Sequence, residues 1–175
     1  IIAARPAVGK TAFALNLALA AAKSTKKNIA IFSLEMPAEQ LIMRMISSLG
    51  QIDNKKLSTG KLENEDWKRF NEAISILADT NIYFHDAGGV TPAEIKAKCR
   101  RLATQGDGLG LVIIDYLQLI DSSSRYSGSR QQEVSEISRA LKTMALELEV
   151  PVIALSQLSR SVEKREDKKP VLSDL

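Results

Sequence analysis

One cysteine and one histidine stand in a chain of 175 residues, and no apolar run approaches the roughly 18 residues a membrane helix needs. Each scarcity removes a class of protein. Cys99 alone can form no intramolecular disulfide and cannot nucleate a thiolate zinc site. His85 alone rules out a histidine metal cluster, and its place at the end of an expected strand gives it no chemical role. Cys99 falls in an expected helix over 93–105 beside Arg100, the setting of a structural thiol. The opening Ile1-Ile2-Ala3-Ala4 lacks the charged and apolar regions of a secretion signal, so a reducing, cytoplasmic setting without membrane contact is expected. Internal repeats and long low-complexity stretches are also missing. What remains is ordinary globular material, 45% hydrophobic and 26% charged, enough for one domain with a sizeable core. The net charge of +3 is compatible with a nucleic-acid partner but does not identify one.

Short β-branched runs alternate with longer helical stretches. Residues 1–3 read as the stub of a strand, followed by a loop and a helix over 11–23. NIAIFSL (28–34) is a second strand, and Pro37 opens a helix whose Leu41, Met45 and Leu49 recur on one face until Gly50 closes it. Residues 51–62 are polar and mixed. A helix over 63–79, a strand over 81–85 and a helix beginning at Thr91-Pro92 follow. LVIID (111–115) is the near-continuous apolar run of a strand buried on both faces. Residues 121–131, rich in serine and glycine, read as a loop. A helix marked by Val134, Ile137, Leu141, Met144 and Leu148 precedes a last strand over 152–155. This alternation predicts an α/β domain with a mainly parallel sheet and helices on both faces. Residues 1–175 are expected to form a single domain truncated at both ends.

Ala4-Arg5-Pro6-Ala7-Val8-Gly9-Lys10-Thr11 fits the phosphate-binding loop, with alanine where the general pattern has its first glycine. It follows an apolar strand and opens a helix, the context such a loop requires. Backbone N–H groups from Ala7 to Ala12 at a helix N-terminus suit the phosphates of ATP or another nucleoside triphosphate. Lys10 supplies a point charge to the β- and γ-phosphates, and the Thr11 hydroxyl suits Mg²⁺. Asp115 ends the LVIID strand, at the sheet edge where α/β proteins bind ligands, and suits the same Mg²⁺. Glu35 stands in the same way after NIAIFSL, as the candidate general base for an attacking water. Gln157 follows the strand VIALS and could sense the γ-phosphate, although spacing alone serves a plain polar residue equally well. Arg44, nine residues after Glu35, reads by default as part of a solvated helix face.

Taken together, ARPAVGKTAFALN, FSLEMP, VIIDYLQLI, RQQEVSEISRALK and VIALSQLSRSVEKREDKKPVLSDL resemble the C-terminal motor domain of the DnaB-type replicative DNA helicases. The resemblance covers nearly the whole chain. It implies a RecA-like P-loop NTPase core, a homohexameric ring and ATP-driven translocation on single-stranded DNA with duplex unwinding at the replication fork. It further implies a primase and a helicase loader as partners of the parent protein. By motif match, Lys10 and Thr11 take the P-loop roles, Glu35 the water-activating role and Asp115 the Mg²⁺ role. Gln157 matches the glutamine linking nucleotide state to DNA contact, and Arg44 an arginine near the nucleotide. Arg125 and Arg130, in the 121–131 stretch, are candidates for DNA backbone contacts, and a solvated surface loop is the competing reading. The family's arginine finger and a principal DNA-binding loop lie beyond the position matching Leu175. Two other readings share parts of this set. A RecA-like recombination or repair ATPase would keep the P-loop, Glu35 and Asp115, but SLEM, DYLQL and VLSDL count against it. A regulatory nucleotide-binding module without hydrolysis would have no need of Glu35.

Overall fold

A computed structural model describes residues 1–121, 130–165, 167, 169–171 and 174. Strands and helices alternate: β1 (Ile2–Ala4), α1 (Lys10–Ser24), β2 (Asn28–Ser33), α2 (Ala38–Gly50), α3 (Asn54–Thr59), α4 (Asn64–Ala78), β3 (Ile82–His85), α5 (Pro92–Ala103), β4 (Leu109–Asp115), α6 (Arg130–Leu148), β5 (Val152–Gln157) and α7 (Ser161–Lys164). A 3-10 turn, Leu117–Leu119, leaves β4. Among the described residues the sheet has five strands in the order β1-β5-β4-β2-β3, every pair parallel. The two strands nearest its middle are the apolar runs of the sequence. β2 is buried along its whole length, and β4 nearly so.

Side-chain alternation sorts these runs into two cores. Ile29, Ile31, Leu111 and Ile113 pack under α1 and α2 with Leu15, Leu19, Leu41 and Met45. Ala30, Phe32, Val112 and Ile114 face the other way, against Ile95, Cys99, Ile137, Leu141 and Met144 of α5 and α6. Each strand thus feeds both layers, as a period of two requires. Cys99 is fully buried, and burial pushes its thiol up to about 12, so it stays a neutral packing group. His85 ends β3 edge-on to Phe32, with ring centroids 5.6 Å apart. Burial, then the charge of Lys98, holds its imidazole below the ordinary histidine range. Among the described residues, no helix is long and apolar enough to cross a membrane.

The local signals act where the sequence reading located them, with instructive exceptions. Thr91 and Glu94 form a reciprocal capping box at the start of α5, with Pro92 at its first turn. The mixed stretch 51–62 contains α3, capped by Asp53 accepting from the Lys55 N–H at 2.6 Å and stopped by Gly60 at φ 68°. A six-residue helix that buries only Leu57 carries no apolar period to read. Gly50 is the last residue of α2 and not its left-handed cap, which is Gln51 at φ 51°. Space is tight at 50: a β-carbon there would meet the Arg69 carbonyl oxygen at 3.1 Å and Ile52 Cδ1 at 3.0 Å. β4 begins two residues before the apolar run, because Gly110 lets it pass close over Lys27. The stretch 121–131 is not loop throughout, since α6 already begins at Arg130.

Asp66 anchors α3 to α4. Its buried carboxylate accepts from Lys56 Nζ at 2.9 Å, Arg69 Nη2 at 2.6 Å and the Glu63 N–H at 3.2 Å. The Lys56 hydrogen bond foremost, then the Glu63 N–H, holds the carboxyl below the ordinary aspartate range. A depressed folded-state pKa means the contribution is full above the unfolded value near 4 and is lost as pH falls through the folded one. Asp66→Asn is therefore expected to lower stability at neutral pH. Urea unfolding should show the gap from wild type closing below about pH 4.

Candidate nucleotide-hydrolysis site

The carboxyl ends of neighbouring strands converge on one edge of the sheet. β1 ends at Ala4 and releases a tight loop that α1 closes at Lys10. Ala4 itself is in the strand, an extended conformation that alanine tolerates, which explains why the first glycine of the loop pattern is dispensable here. The bend falls later. Ala7 has φ 63°, a left-handed geometry that costs a β-carbon about 1–2 kcal/mol. Gly9 at φ 105° is the helix N-cap and needs to be glycine for that reason. Its carbonyl accepts from the Phe13 N–H at 2.9 Å, the first helical bond; N–H groups of a first helical turn have no intrahelical partner. Lys10 Nζ donates to the Ala4 carbonyl at 3.0 Å, which folds the ammonium back across the loop.

Thr11 and Asp115 meet although 104 residues separate them: the threonine hydroxyl donates to Asp115 Oδ2 at 2.6 Å. Asp115 is the last residue of β4 and is 4% exposed, so this hydroxyl–carboxylate pair lies at the base of the loop. One hydroxyl and one carboxylate suit Mg²⁺, which keeps several waters and takes further oxygens from substrate phosphates. Among the described residues there is no group of three or more His, Cys, Asp or Glu that would make an all-protein metal cage. The donor set fits a phosphate-assisted Mg²⁺ site.

Glu35 lies two residues beyond the end of β2 and is exposed. The Leu34 N–H before it donates to the Asp115 carbonyl at 2.8 Å, and Ser33 is in register with Asp115, so Glu35 and Asp115 leave adjacent strands side by side. Gln157 is the last residue of β5 and does not follow the strand, because β5 runs two residues past the apolar run. It is in register with Ala4 of β1. Arg44 is exposed on α2 and lines a cleft of about 330 Å³ together with Ala12, Asn16, Ser47 and Ser48. The cleft thus joins Arg44 to the loop-proximal face of α1. Arg125 lies outside the described residues, as does the side chain of Arg130. Val8 is exposed in the loop.

Two residues at this edge escaped the sequence reading. Arg5 Nη1 donates to the Leu158 carbonyl at 2.9 Å and its Nε pairs with Glu163 at 2.6 Å, tying the loop to α7. Gln118, in the turn after Asp115, hydrogen-bonds to Ser156 and to the main chain of Gln157. Both stand inside the motif phrases, but their partners lie more than thirty residues away, and only the strand order brings them together.

A parallel sheet layered by helices, a phosphate-type loop between β1 and α1, and an acidic residue at the end of β4 define a RecA-like P-loop core. The chain belongs to the DnaB-like helicase C-terminal domain family, whose model matches residues 1–175. The replicative DNA helicase DnaB of Geobacillus stearothermophilus is 58% identical over 175 residues, which are 100% of this chain and 38% of that protein. The replicative DNA helicase DnaC of Bacillus subtilis (strain 168) is likewise 58% identical, with the same coverage. A solved DnaB-like replicative helicase, described with its interactions with primase, matches at a TM-score of 0.92 and 42% identity, covering 99% of this chain and 42% of that one. The chain therefore spans 38% of the length of these curated relatives.

Proposed function

We propose that this chain is the ATP-hydrolysing core of a replicative DNA helicase that translocates on single-stranded DNA and unwinds the duplex at the fork. The observation that carries the hydrolytic part is the 2.6 Å contact of Thr11 with Asp115, which joins the phosphate loop to the acidic end of β4. In this reading the loop N–H groups and Lys10 hold the β- and γ-phosphates at the N-terminus of α1. Thr11 and Asp115 hold Mg²⁺, which when bound neutralises charge on the phosphate oxygens. Glu35 takes a proton from the water that attacks the γ-phosphorus, as the bond to the β-phosphate oxygen breaks and ADP leaves with phosphate. Gln157 senses the γ-phosphate, and Arg44 with Ala12 borders the nucleotide.

The motor part rests on family membership and on relatives named as replicative helicases. A homohexameric assembly, contacts of Arg125 and Arg130 with the DNA backbone, and primase and loader partners belong to the same proposal. The primase is supported by the related helicase described with one. The test is strand separation by the full-length protein on a forked duplex. ATP turnover should rise when single-stranded DNA is added, and unwinding should require ATP. DNA-stimulated turnover accompanied by strand exchange without unwinding would favour a recombination ATPase instead.

A further inference from the structure

The β4–β5 ladder pairs Val112 with Val152, Ile113 with Ile153 and Ile114 with Ala154, and there it stops. β5 nevertheless continues to Gln157, supported on its other side by β1 through Leu155, Ser156 and Gln157. On the β4 side the chain has turned away after Asp115 into the 3-10 turn, which leaves the main chain of Gln157 without a strand partner there. The side chain of Gln118 fills the position. Its amide N–H group donates to the Ser156 hydroxyl at 2.8 Å and to the Gln157 carbonyl at 3.2 Å, and its oxygen accepts from the Gln157 N–H at 3.4 Å. A primary amide carries the donor and acceptor of a peptide unit, so it can act as one further rung of a ladder. Ser156 is 1% exposed, and its buried hydroxyl needs such a partner.

Gln157 is thereby held from both sides. Ala4 lies in register on the β1 side, and the same Ala4 carbonyl receives Lys10 Nζ and the Leu158 N–H. On the other side stands Gln118, three residues after Asp115 on the same exit from β4. Resting on the hydrolytic reading above, we infer that Gln118 is a positioning residue that fixes Gln157 of β5 relative to Asp115 at the end of β4, so that the γ-phosphate sensor and the Mg²⁺ carboxylate share one frame. Its effect is on placement, and misplacement of a reacting constellation by about 1 Å costs on the order of 100-fold in rate.

The test uses the full-length protein and steady-state ATP hydrolysis, with nucleotide affinity measured separately. Gln118→Ala should lower kcat by about 10- to 100-fold and leave ATP affinity within about twofold. Gln118→Glu keeps the acceptor and loses the donor until its carboxyl is protonated. Its kcat relative to wild type should therefore climb as pH is lowered toward about 5, near the ordinary glutamate range, a signature that a loss of packing does not produce. Wild-type kcat in Gln118→Ala would overturn the inference. So would a fall in kcat matched by an equal fall in ATP affinity, or a Gln118→Glu variant that follows the wild-type pH profile. Glu35→Gln run alongside separates the two levels. If it is inactive while Gln118→Ala turns over normally, only the positioning role fails; if both turn over normally, the base assigned to Glu35 fails as well; absence of ATP turnover in the full-length wild type would overturn the hydrolytic reading itself.

Discussion

Glu35→Gln in the full-length protein is expected to lower kcat for ATP hydrolysis by about 10²–10⁴-fold with ATP affinity unchanged, the usual range for loss of a general base. The expectation follows from where the residue sits. Glu35 is exposed, one residue past the Leu34 N–H that clasps the Asp115 carbonyl, so it emerges beside Asp115 without supporting the fold. An isosteric amide keeps its size and hydrogen-bonding reach but cannot accept the proton of the attacking water. Thermal unfolding should be unaltered, because exposed residues away from caps and cores change stability by about 0.5 kcal/mol or less. Unchanged turnover in this variant would remove the base from Glu35 and leave the hydrolytic role to other residues. Lys10 separates in the same way from the fold, since the Ala4 carbonyl it contacts also receives the Leu158 N–H.

Much of this site was legible because its parts are local. Gly9, Lys10 and Thr11 announce themselves by type and by standing between an apolar run and a helix. Asp115 and Glu35 are visible as acids at the ends of two unmistakable strands, LVIID and NIAIFSL. Parallel strands bury both faces, so their sequences are nearly continuous in hydrophobicity, and such strands are easy to find. The order β1-β5-β4-β2-β3 is another matter, because no residue pattern encodes which strands become neighbours. Gln118 and Arg5 depend on that order. Their partners at Ser156, Gln157, Leu158 and Glu163 come close only once β5 has inserted between β1 and β4. The short helix α3 was hidden for a different reason: it buries one residue, Leu57, and is held by its Asp53 cap and by the Asp66–Lys56 pair. Capping and ion pairing leave no period in the sequence. Gly50 does end α2, as the sequence suggests, but it also packs closely against the Arg69 carbonyl, a contact no local pattern reveals.

The contact on which the whole site turns is that of Thr11 with Asp115, and it yields the second large effect. Asp115→Asn preserves shape, and its amide oxygen still accepts the Thr11 hydroxyl, so the loop and β4 stay joined. What it removes is the negative charge facing the cation. A divalent ion held by one carboxylate, one hydroxyl and substrate phosphates would lose the charge of that carboxylate in this change. Turnover at fixed Mg²⁺ should fall by about 10²–10³-fold, comparable to removing one preorganised stabilising group from a transition state. The Mg²⁺ concentration for half-maximal turnover should rise by about 10- to 100-fold. Nucleotide binding measured without divalent cation should stay at the wild-type level or tighten slightly, since a negative charge near the phosphates has gone. The decisive measurement is therefore ATP turnover by the full-length protein as a function of free Mg²⁺, wild type against Asp115→Asn. A lower ceiling with a rightward shift of the Mg²⁺ curve is the expected result, and superimposable curves would contradict the assignment of Thr11 and Asp115 as the metal end of a hydrolytic site.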